Sequence, residues 1–411
     1  MSSQPRAAST GVTPRVSLSV PDVRGALDYF RRLLDTSQRA DELAAGDRPV
    51  VGTMCNFVPE ALILAAGAVP VRLCAGDHQA AGDAERLMPR DSCPVCRSSV
   101  GLLMARKGRF GRVDLLVIPA VCDSKRKLPE LLAERLPVHV VQVPADKQAD
   151  GAEAAWLAQV TRLSRRLEEL TGKGLTRKPL EDAIRLLNAR QQAFAELTEL
   201  RKLHPPPISG LEMAIVTNSS FLADVACWTE HVHTLVAERR TSPGAHDGPR
   251  LLVTGAPLIH PDLQLLEAIE SAGAHVVADL MCSGTERLYL PITPREWTLS
   301  EMLRAVAETA LLPAACPCFT RSDDRINRLL DLAKTFAVDG VIYRNLRLCT
   351  LYQFETAIVR RPLEAEGLPM LDLQMDYTAS DTEQLATRLQ AFLEIVGARR
   401  PPSLTVAVPS P

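Results

Sequence analysis

Two parts of the chain alternate short apolar runs with amphipathic stretches, a pattern that indicates buried strands separated by helices. Strands of a parallel sheet are covered on both faces, so they read as continuous apolar runs and need not alternate polar and apolar positions. The pattern predicts strands at residues 49–52, 69–73, 114–118 and 138–143 in the first part, and at 251–254, 275–278, 340–343 and 369–373 in the second.

Helical spacing dominates the region between these two parts. Residues 152–203 are charged, helically periodic and interrupted near 172–178, which predicts a helical hairpin. A further helix is predicted at 221–240, before a stretch at 241–249 that contains Gly, Pro and Ser and is typical of a linker. The remaining predicted helices cover residues 20–45, 59–66, 128–135, 261–272 and 381–396.

The two α/β parts resemble each other. In each, a strand leads through a turn to a helix and then to an Ala-Gly-Ala turn; the matching segments are Val51-Gly52-Thr53, Pro59 and Ala66-Gly67-Ala68 against Val253-Thr254-Gly255, Pro261 and Ala272-Gly273-Ala274. Duplication of a doubly wound unit explains this similarity. We therefore predict an α/β protein with two similar doubly wound parallel-sheet lobes of the flavodoxin or Rossmann type. The predicted regions are a disordered tail (1–15), an N-terminal lobe (16–150), a helical linker region (151–245) and a C-terminal lobe (246–411).

Composition and charge narrow the classes of function. A length of 411 residues exceeds what one hydrophobic core usually supports, and 46% hydrophobic with 23% charged residues is ordinary globular usage. The formal net charge of -2 provides no basic field to attract nucleic acid. No apolar run approaches the roughly 20 residues of a membrane-spanning helix, and the N-terminus does not read as a secretory signal. These features predict a cytoplasmic protein without nucleic-acid or membrane partners.

Ten cysteines are present, and in a reducing compartment an excess of cysteine more often binds metal or catalyses than forms disulfides. In parallel sheets, ligands gather at the carboxyl ends of the strands. Several cysteines fall at such ends or in pairs between strands: Cys55, the C-x-x-C pair Cys93 and Cys96, and Cys122 in the first part, and Cys282, the C-x-C pair Cys316 and Cys318, and Cys349 in the second. Each lobe is predicted to contribute an early, a middle and a late thiolate, with the C-x-x-C segment expected to be a loop.

Iron-sulfur clusters are the chemistry that this set favours, because soft thiolates bind iron and can come from separate loops. Three cysteines per cubane would leave one iron open, which suits catalysis better than electron carriage alone. A structural zinc site is the main alternative, but such sites normally use two closely spaced pairs, and the second pair here has one intervening residue. We expect Cys227 to be a core residue, and Cys74 as well, although Cys74 follows a strand as Cys282 does.

Other residues give weaker signals. The chain contains neither G-x-G-x-x-G nor G-x-x-x-x-G-K-[ST], so nucleotide binding by this chain has no support. Glu60 opens a predicted helix beside Cys55, where it is a candidate catalytic residue for proton transfer, although a carboxylate there also stabilises the helix dipole. Arg287 is a candidate for holding an anionic substrate or adjusting the charge of a cluster, with a surface salt bridge as the alternative.

A set of short motifs runs through both parts of the chain in consistent order. They are Cys55-Asn56-Phe57-Val58-Pro59-Glu60, Ala65-Ala66-Gly67-Ala68-Val69-Pro70, Cys93-Pro94, Cys122-Asp123, Thr254-Gly255-Ala256-Pro257-Leu258, Cys282-Ser283-Gly284-Thr285-Glu286-Arg287, Asp339-Gly340-Val341-Ile342 and Thr387-Arg388-Leu389-Gln390-Ala391-Phe392-Leu393-Glu394. At these residues the sequence resembles the 2-hydroxyacyl-CoA dehydratase and benzoyl-CoA reductase family. The resemblance covers about residues 50–396.

The resemblance implies two α/β lobes with cubane clusters that a separate ATP-hydrolysing iron-sulfur activator protein reduces. Because both lobes carry a cysteine set, the chain looks most like the double-cubane cluster proteins, in which two sulfide-bridged 4Fe-4S cubanes reduce small molecules at low potential. For this chain, the resemblance implies Cys55, Cys93 and Cys122 as ligands of one cubane and Cys282, Cys316 and Cys349 as ligands of the other, with Cys96 and Cys318 as replacements.

Two alternatives stay open. The first is a 2-hydroxyacyl-CoA dehydratase, a lyase with a 4Fe-4S cluster; no residue pattern here indicates a pocket for the adenine or pantetheine of an acyl-CoA, so this activity would rest on the resemblance alone. The second is a non-catalytic protein that binds zinc or a cluster. The resemblance also makes a homodimer the expected assembly, and it leaves the substrate undetermined between a small molecule and an acyl-CoA.

Overall fold

The computed structural model describes residues 25–36, 46–244, 246–377 and 382–399. The predicted tail at 1–15 lies outside these residues, as do both ends of the helix predicted at 20–45. Between those ends the chain forms a helix, α1, at Ala26–Thr36. Its buried side chains, among them Phe30 and Leu34, join the main hydrophobic core.

Within the described residues, eight parallel strands form two four-stranded sheets. The two central strands of each sheet are buried along their whole length, as expected for strands that helices cover on both faces. The strands are β1 Val50–Thr53, β2 Val69–Arg72, β3 Leu115–Pro119 and β4 Val138–Val141 in the first sheet, and β5 Arg250–Gly255, β6 His275–Leu280, β7 Gly340–Leu346 and β8 Met370–Met375 in the second.

The two sheets have the same strand order. The first runs β2-β1-β3-β4 and the second β6-β5-β7-β8. The registers correspond as well, because β1 begins by pairing Val50 with Val69 and β5 begins by pairing Arg250 with His275. The predicted fold class, two similar doubly wound parallel-sheet lobes, is confirmed. We call the first sheet with the helices between its strands the N-terminal lobe, and the second sheet with its helices the C-terminal lobe.

Helices fill the intervals between strands and the region between the sheets. After α1 they are α2 Glu60–Ala65, α3 His78–Asp83, α4 Pro94–Ala105 and α5 Asp123–Leu132 in the N-terminal lobe; α6 Ala152–Thr171, α7 Arg177–Glu199, α8 Gly210–Ser219 and α9 Val225–Arg240 between the sheets; and α10 Gln264–Ser271, α11 Leu299–Leu311, α12 Asp323–Thr335, α13 Thr350–Ala365 and α14 Thr382–Arg399 in the C-terminal lobe. The predicted helical hairpin is confirmed as α6 and α7, and it turns at Gly172, whose φ of 68° lies in the left-handed region that glycine tolerates. None of the helices in the described part is both long and apolar enough to cross a bilayer.

Three local predictions were wrong. The helix predicted at 221–240 begins only at Val225, because the side chain of Asp224 caps it by accepting hydrogen bonds from the backbone amides of Ala226 and Cys227. The helix predicted at 128–135 is α5, which starts earlier, directly after Cys122. The C-x-x-C segment is not a loop, since α4 begins inside it with a proline in the first turn.

The two lobes pack against each other through a continuous apolar core that draws residues from both sheets. The backbones approach closely at one point, where a Cβ added to Gly76 would lie 2.0 Å from the carbonyl oxygen of Ile259. Lys147 adds a polar link, because its buried ammonium donates to the carbonyl of Ala314 at 2.9 Å and pairs with Asp324 at 2.9 Å. The carboxyl ends of the two sheets are therefore held in a fixed relation.

Candidate functional site

Four single cysteines lie just past the carboxyl ends of strands. Cys55 follows β1 and Cys122 follows β3, where it is the N-cap of α5. In the C-terminal lobe Cys282 follows β6, and Cys349 follows β7 as the N-cap of α13. A helix N-terminus stabilises the charged form of a thiol, so two of these four positions favour thiolate.

The paired cysteines lie between the second and third strands of each lobe. Cys93 is the N-cap of α4 and Cys96 lies in its first turn, which places both thiols at one helix N-terminus. Cys316 and Cys318 lie in the loop between α11 and α12. All ten cysteines of the chain are free thiols. We call Cys55, Cys93, Cys96, Cys122, Cys282, Cys316, Cys318 and Cys349 together the cysteine cleft.

One thiol of the cleft connects the two lobes directly. Hydrogen bonds from the thiols of Cys349 and Cys96 to the sulfur of Cys93 hold the pKa of Cys93 well below that of an ordinary thiol. The donors respond in the opposite direction, because donation to Cys93, together with burial, raises the pKa of Cys96 and of Cys349. Cys93 is therefore the thiolate of a three-sulfur group that includes one residue of the C-terminal lobe.

Cys55 has a similar central position in the rest of the cleft. Burial raises the pKa of Cys122 and of Cys282, and in both cases the charge of Cys55 raises it further. A hydrogen bond with Cys318 raises the pKa of Cys316, and Cys55 again adds to the effect. Cys55 thus interacts electrostatically with thiols of both lobes.

Two cations lie among these thiols. Burial lowers the pKa of Lys125, but the thiols of Cys55, Cys74 and Cys122 more than offset it and hold the pKa well above its usual value. Arg72 behaves in the same way, since burial opposes its charge while neighbouring thiols, Cys282 among them, raise its pKa. Positive charge within the cleft stabilises thiolates, which are the form that binds metal.

Glu60 lies beside the cleft in an ion-pair cluster that spans the lobes. Its carboxylate accepts a hydrogen bond from Arg190 at 2.8 Å and others from Arg287, of which the Nε contact measures 3.1 Å. Burial of Glu60 opposes its charge, but the two arginines prevail and lower its pKa to about 2. At neutral pH Glu60 is therefore a carboxylate, able to accept a proton but without one to donate.

Arg287 takes part in this cluster from the C-terminal lobe. Its side chain is 7% exposed, so the salt bridge predicted for it exists but is buried. It also donates to the hydroxyl of Ser220 at 2.6 Å. Burial lowers the pKa of Arg287 to about 9, and the nearby charges of Arg190 and Arg72 act in the same direction while Glu60 opposes them.

Two cysteines differ from the rest. Cys74 is buried and its thiol donates to the carbonyl of Met54 at 3.3 Å, in agreement with a core position, although it contributes to the field at Lys125. Cys227 is only partly buried and lies on α9 beside His231, with a sulfur to Nδ1 distance of 3.8 Å. Neither residue provides a sulfur to the hydrogen bonds within the cleft described above.

The donor set fits a polynuclear group better than a single metal ion. Among the residues that the structure describes, no three Cys, His, Asp or Glu side chains are grouped so as to hold one metal ion. A cubane takes one thiolate at each iron corner, so its ligands do not converge on one point. Thiols from several loops, with cations between them, therefore fit a polynuclear iron-sulfur group.

Three charged residues of this region gave no signal that the sequence reasoning used. Arg72 ends a buried strand and Lys125 lies in the first turn of α5, positions that periodicity alone does not mark as functional. Arg190 was detectable, because it lies on the buried face of α7, three residues after Leu187 and four before Phe194. A charge within an apolar stripe indicates a buried ion pair or a ligand contact.

Comparisons with known proteins agree over most of the chain. A family model described as 2-hydroxyglutaryl-CoA dehydratase, D-component, matches residues 55–396. The putative dehydratase subunit YjiM of Escherichia coli (strain K12) is 32% identical over 385 residues, which cover 92% of this chain and 99% of the relative.

More distant relatives have described activities. The subunit beta of (R)-2-hydroxyglutaryl-CoA dehydratase from Acidaminococcus fermentans is 23% identical over 363 residues, covering 85% of this chain and 93% of the relative. One of the benzoyl-CoA reductase subunits from Thauera aromatica is 23% identical over 360 residues, covering 85% and 90%. The matches include both a dehydratase and a reductase.

Proposed function

The chain belongs to the 2-hydroxyglutaryl-CoA dehydratase D-component family, and from that membership we propose that it is an iron-sulfur reductase component with a double-cubane cluster. The resemblance inferred from the motifs is thereby confirmed, and the chain is an enzyme of the 2-hydroxyacyl-CoA dehydratase family. The specific chemistry within that family is the proposal.

The contact between Cys93 and Cys349 supports the proposal most strongly, because it brings thiols of the two lobes together. Two cubanes that share a sulfide need ligand sets that adjoin across the lobe boundary. We propose Cys55, Cys93 and Cys122 as one set and Cys282, Cys316 and Cys349 as the other, with Cys96 and Cys318 as replacements. When bound, such a cluster would supply electrons at low potential to a small molecule.

The chain's own residues would prepare the site for this chemistry. Lys125 and Arg72 would offset the negative charge of thiolates and cluster. Glu60 is proposed as the catalytic residue for proton transfer, and its pKa of about 2 restricts that role to accepting a proton. Water is limited in the cleft because Cys55 and Cys96 are buried.

The proposed partners follow from the family. An ATP-hydrolysing iron-sulfur activator protein would deliver electrons, since this chain has no phosphate-binding motif. We propose a homodimer that works in the cytoplasm under anaerobic conditions, where ten free thiols persist and low-potential clusters survive.

A second candidate function is a 2-hydroxyacyl-CoA dehydratase with a single 4Fe-4S cluster. The names of the relatives favour it, because the protein from Acidaminococcus fermentans belongs to a dehydratase of this kind. In this case an acyl-CoA would be the substrate, and the electron would be recycled.

Iron and acid-labile sulfide, measured after anaerobic purification, separate these functions. Two cubanes give about eight iron atoms and eight sulfides per chain, whereas a single cubane gives about four of each. About four would contradict the double cubane and favour the dehydratase. Zinc without sulfide would contradict both and indicate a non-catalytic metal-binding protein.

Substitution of one thiol tests the ligand assignment. We expect Cys349→Ala to lose at least half of the bound iron, because it removes a proposed ligand and a partner of Cys93. The matched control is Cys227→Ala, which removes a partly buried thiol outside the cleft and should retain all the iron. Full iron in Cys349→Ala would refute the assignment.

A further inference from the structure

A cavity of about 100 Å³ lies between the lobes, next to the cysteine cleft. Its polar wall is formed by Arg72, Arg190, Arg287, Glu60 and Asn56, the last of which directly follows Cys55 in the chain. We call this cavity the arginine pocket. None of its side chains is a proposed ligand of a cluster.

Positive charge exceeds negative charge in the wall of the arginine pocket. It contains three guanidinium groups and a single carboxylate, that of Glu60. The charge of Arg72 is also offset by the thiols of Cys55 and Cys282. Arg190 and Arg287, in contrast, share Glu60, which leaves one positive charge without a partner of opposite sign.

Unpaired hydrogen-bond donors point to the same conclusion. The Nε atoms of Arg72 and Arg190 and the side-chain amide nitrogen of Asn56 are buried without an acceptor on the protein. Arg72 and Arg190 are 6% and 5% exposed, so bulk solvent does not readily compensate them. A buried polar group without a partner costs about 1 to 3 kcal/mol, which an acceptor-rich ligand would recover.

The guanidinium groups are held in place by other contacts. The guanidinium carbons of Arg72 and Arg287 lie 4.8 and 4.9 Å from the centre of the Phe221 ring. Arg72 also donates to the side-chain oxygen of Asn56. The donors are therefore preorganised, which reduces the entropy lost on binding a ligand.

The size and the opposite wall restrict the ligand. A volume of about 100 Å³ corresponds to roughly three water molecules, whereas pockets for drug-sized ligands usually start near 300 Å³. Facing the arginines are apolar side chains, among them Leu187, Leu288, Ile292 and Val306. The pocket thus combines a cationic end with a short apolar end.

We propose that the arginine pocket binds the carboxylate of a short aliphatic acid, with the carboxylate at the arginines and the chain against the leucines. The volume admits a ligand of about two to four carbon atoms. A coenzyme A thioester does not meet these requirements, because its acyl end is uncharged and its nucleotide exceeds the space. As a substrate site, the pocket rests on the proposed function; as a binding site, it can be tested without any cluster.

Isothermal titration calorimetry on the anaerobically purified full chain tests the proposal. We expect butyrate to bind, and butyramide, which has the same shape without the charge, to bind about tenfold to a hundredfold more weakly, since hydrogen bonds to charged groups contribute more than neutral ones. Arg190→Gln should weaken butyrate binding by a similar factor. Equal binding of butyrate and butyramide, or no binding of butyrate, would overturn the proposal.

A matched control lies on the same helix. Arg177 also pairs with a glutamate, Glu181 at 3.9 Å, but it is 66% exposed and lies outside the pocket. Arg177→Gln should bind butyrate as the wild type does. Butyryl-CoA is the probe for the thioester alternative: if it binds and butyrate does not, the pocket does not select a carboxylate.

Two further variants keep the test valid if Arg190→Gln folds poorly. Ala310→Leu leaves the arginines intact and narrows the pocket, so acetate should retain its affinity while butyrate loses about tenfold. Glu60→Gln removes the competing carboxylate, so butyrate should bind more tightly. Unchanged acetate and butyrate affinities in folded Ala310→Leu would place the ligand elsewhere and overturn the proposal.

The iron content of the same samples separates this inference from the proposed function. Butyrate binding with no iron in the wild type would refute the iron-sulfur function and leave the binding site. Full iron without butyrate binding would refute the binding site and leave the iron-sulfur function.

Discussion

The two lobes share one topology but place their thiols differently. The third strands, β3 and β7, correspond, and Cys122 and Cys349 follow them as the N-caps of the next helices. The second strands also correspond, but only Cys282 belongs to the cysteine cleft, and its counterpart Cys74 lies in the core.

The first strands show the largest difference. Cys55 follows β1, whereas β5 is followed by Ala256 and Pro257, whose carbonyls accept hydrogen bonds from the buried guanidinium of Arg344. That arginine also pairs with Asp262, and both side chains are almost fully buried. One sheet therefore uses the end of its first strand to present a thiol, and the other uses it for a structural ion pair.

The comparison indicates that topology determines where ligands can be placed, while local packing decides which places are used. Gly255 illustrates the constraint, because a Cβ there would lie 2.1 Å from the carbonyl oxygen of Arg344. Its φ of 107° also excludes most other residues. This strand end is closed to a side chain that could bind a ligand.

The largest effect is expected from removing the thiols at the corresponding positions Cys282 and Cys74. Cys282→Ala should lose at least half of the bound iron, because it removes a proposed ligand, whereas Cys74→Ala should retain it. Iron and sulfide analysis of both variants after anaerobic purification provides the measurement. Equal iron loss in the two would mean that the lobes are more alike in function than their burial suggests.

A smaller effect, on stability, is expected at the carboxylates that the two lobes place near the cleft. The pKa of Glu60 is lowered to about 2, whereas burial raises the pKa of Glu286. Glu60→Gln should lower the free energy of unfolding by about 3 kcal/mol at pH 7, because it leaves two buried arginines without their partner. Glu286→Gln should cost nothing there, since it removes a charge that burial disfavours. Urea unfolding curves at pH 7 compare the two.

The pH dependence of the stability should follow the same distinction. A carboxylate with a lowered folded-state pKa contributes stability that is fully present above its unfolded-state pKa and is lost as the pH falls through the folded-state value. For Glu60 this loss spans about pH 4.5 to about pH 2. Glu60→Gln should flatten the stability profile in that window, and an unchanged profile would mean that the ion pairs contribute little.

The smallest effect is expected at the contact between the lobes. Gly76→Ala would drive a methyl group into the carbonyl of Ile259, so we expect a loss of about 1 to 3 kcal/mol in the free energy of unfolding. Gly82→Ala, on α3, meets nothing within 4 Å and should be neutral or stabilise by up to about 1 kcal/mol. Thermal melts of the pair suffice, and equal melting temperatures would show that the lobe contact is more yielding than its geometry.

The strands were predictable because burial on both faces leaves a plain apolar signal. Each strand predicted from the sequence lies within about three residues of its observed bounds, as expected when flanking turns mark the ends. The same signal failed at α4, where Pro94 and the serines that follow Cys96 resemble loop residues although they form a buried helix. Local composition was outweighed there by packing against the rest of the lobe.

The members of the cysteine cleft were predictable one by one, but their arrangement was not. Position after a strand identified Cys55, Cys122 and Cys349 as candidates. That Cys349 lies against Cys93 depends on how the lobes dock, which involves residues 256 positions apart in sequence and has no periodicity to reveal it. The arginine pocket depends on the same docking, since Glu60 and Arg287 come from opposite lobes.

The continuous core also bears on the history of the chain. Val50 and Val71 of the first sheet belong to the same cluster of buried side chains as Leu251 and Ile342 of the second. A gene fragment that encoded either half alone would produce a protein with a large apolar face exposed to water, prone to aggregation. Two copies of an ancestral unit that once folded by themselves would thus have exchanged autonomy for a shared interior, after which neither could be deleted.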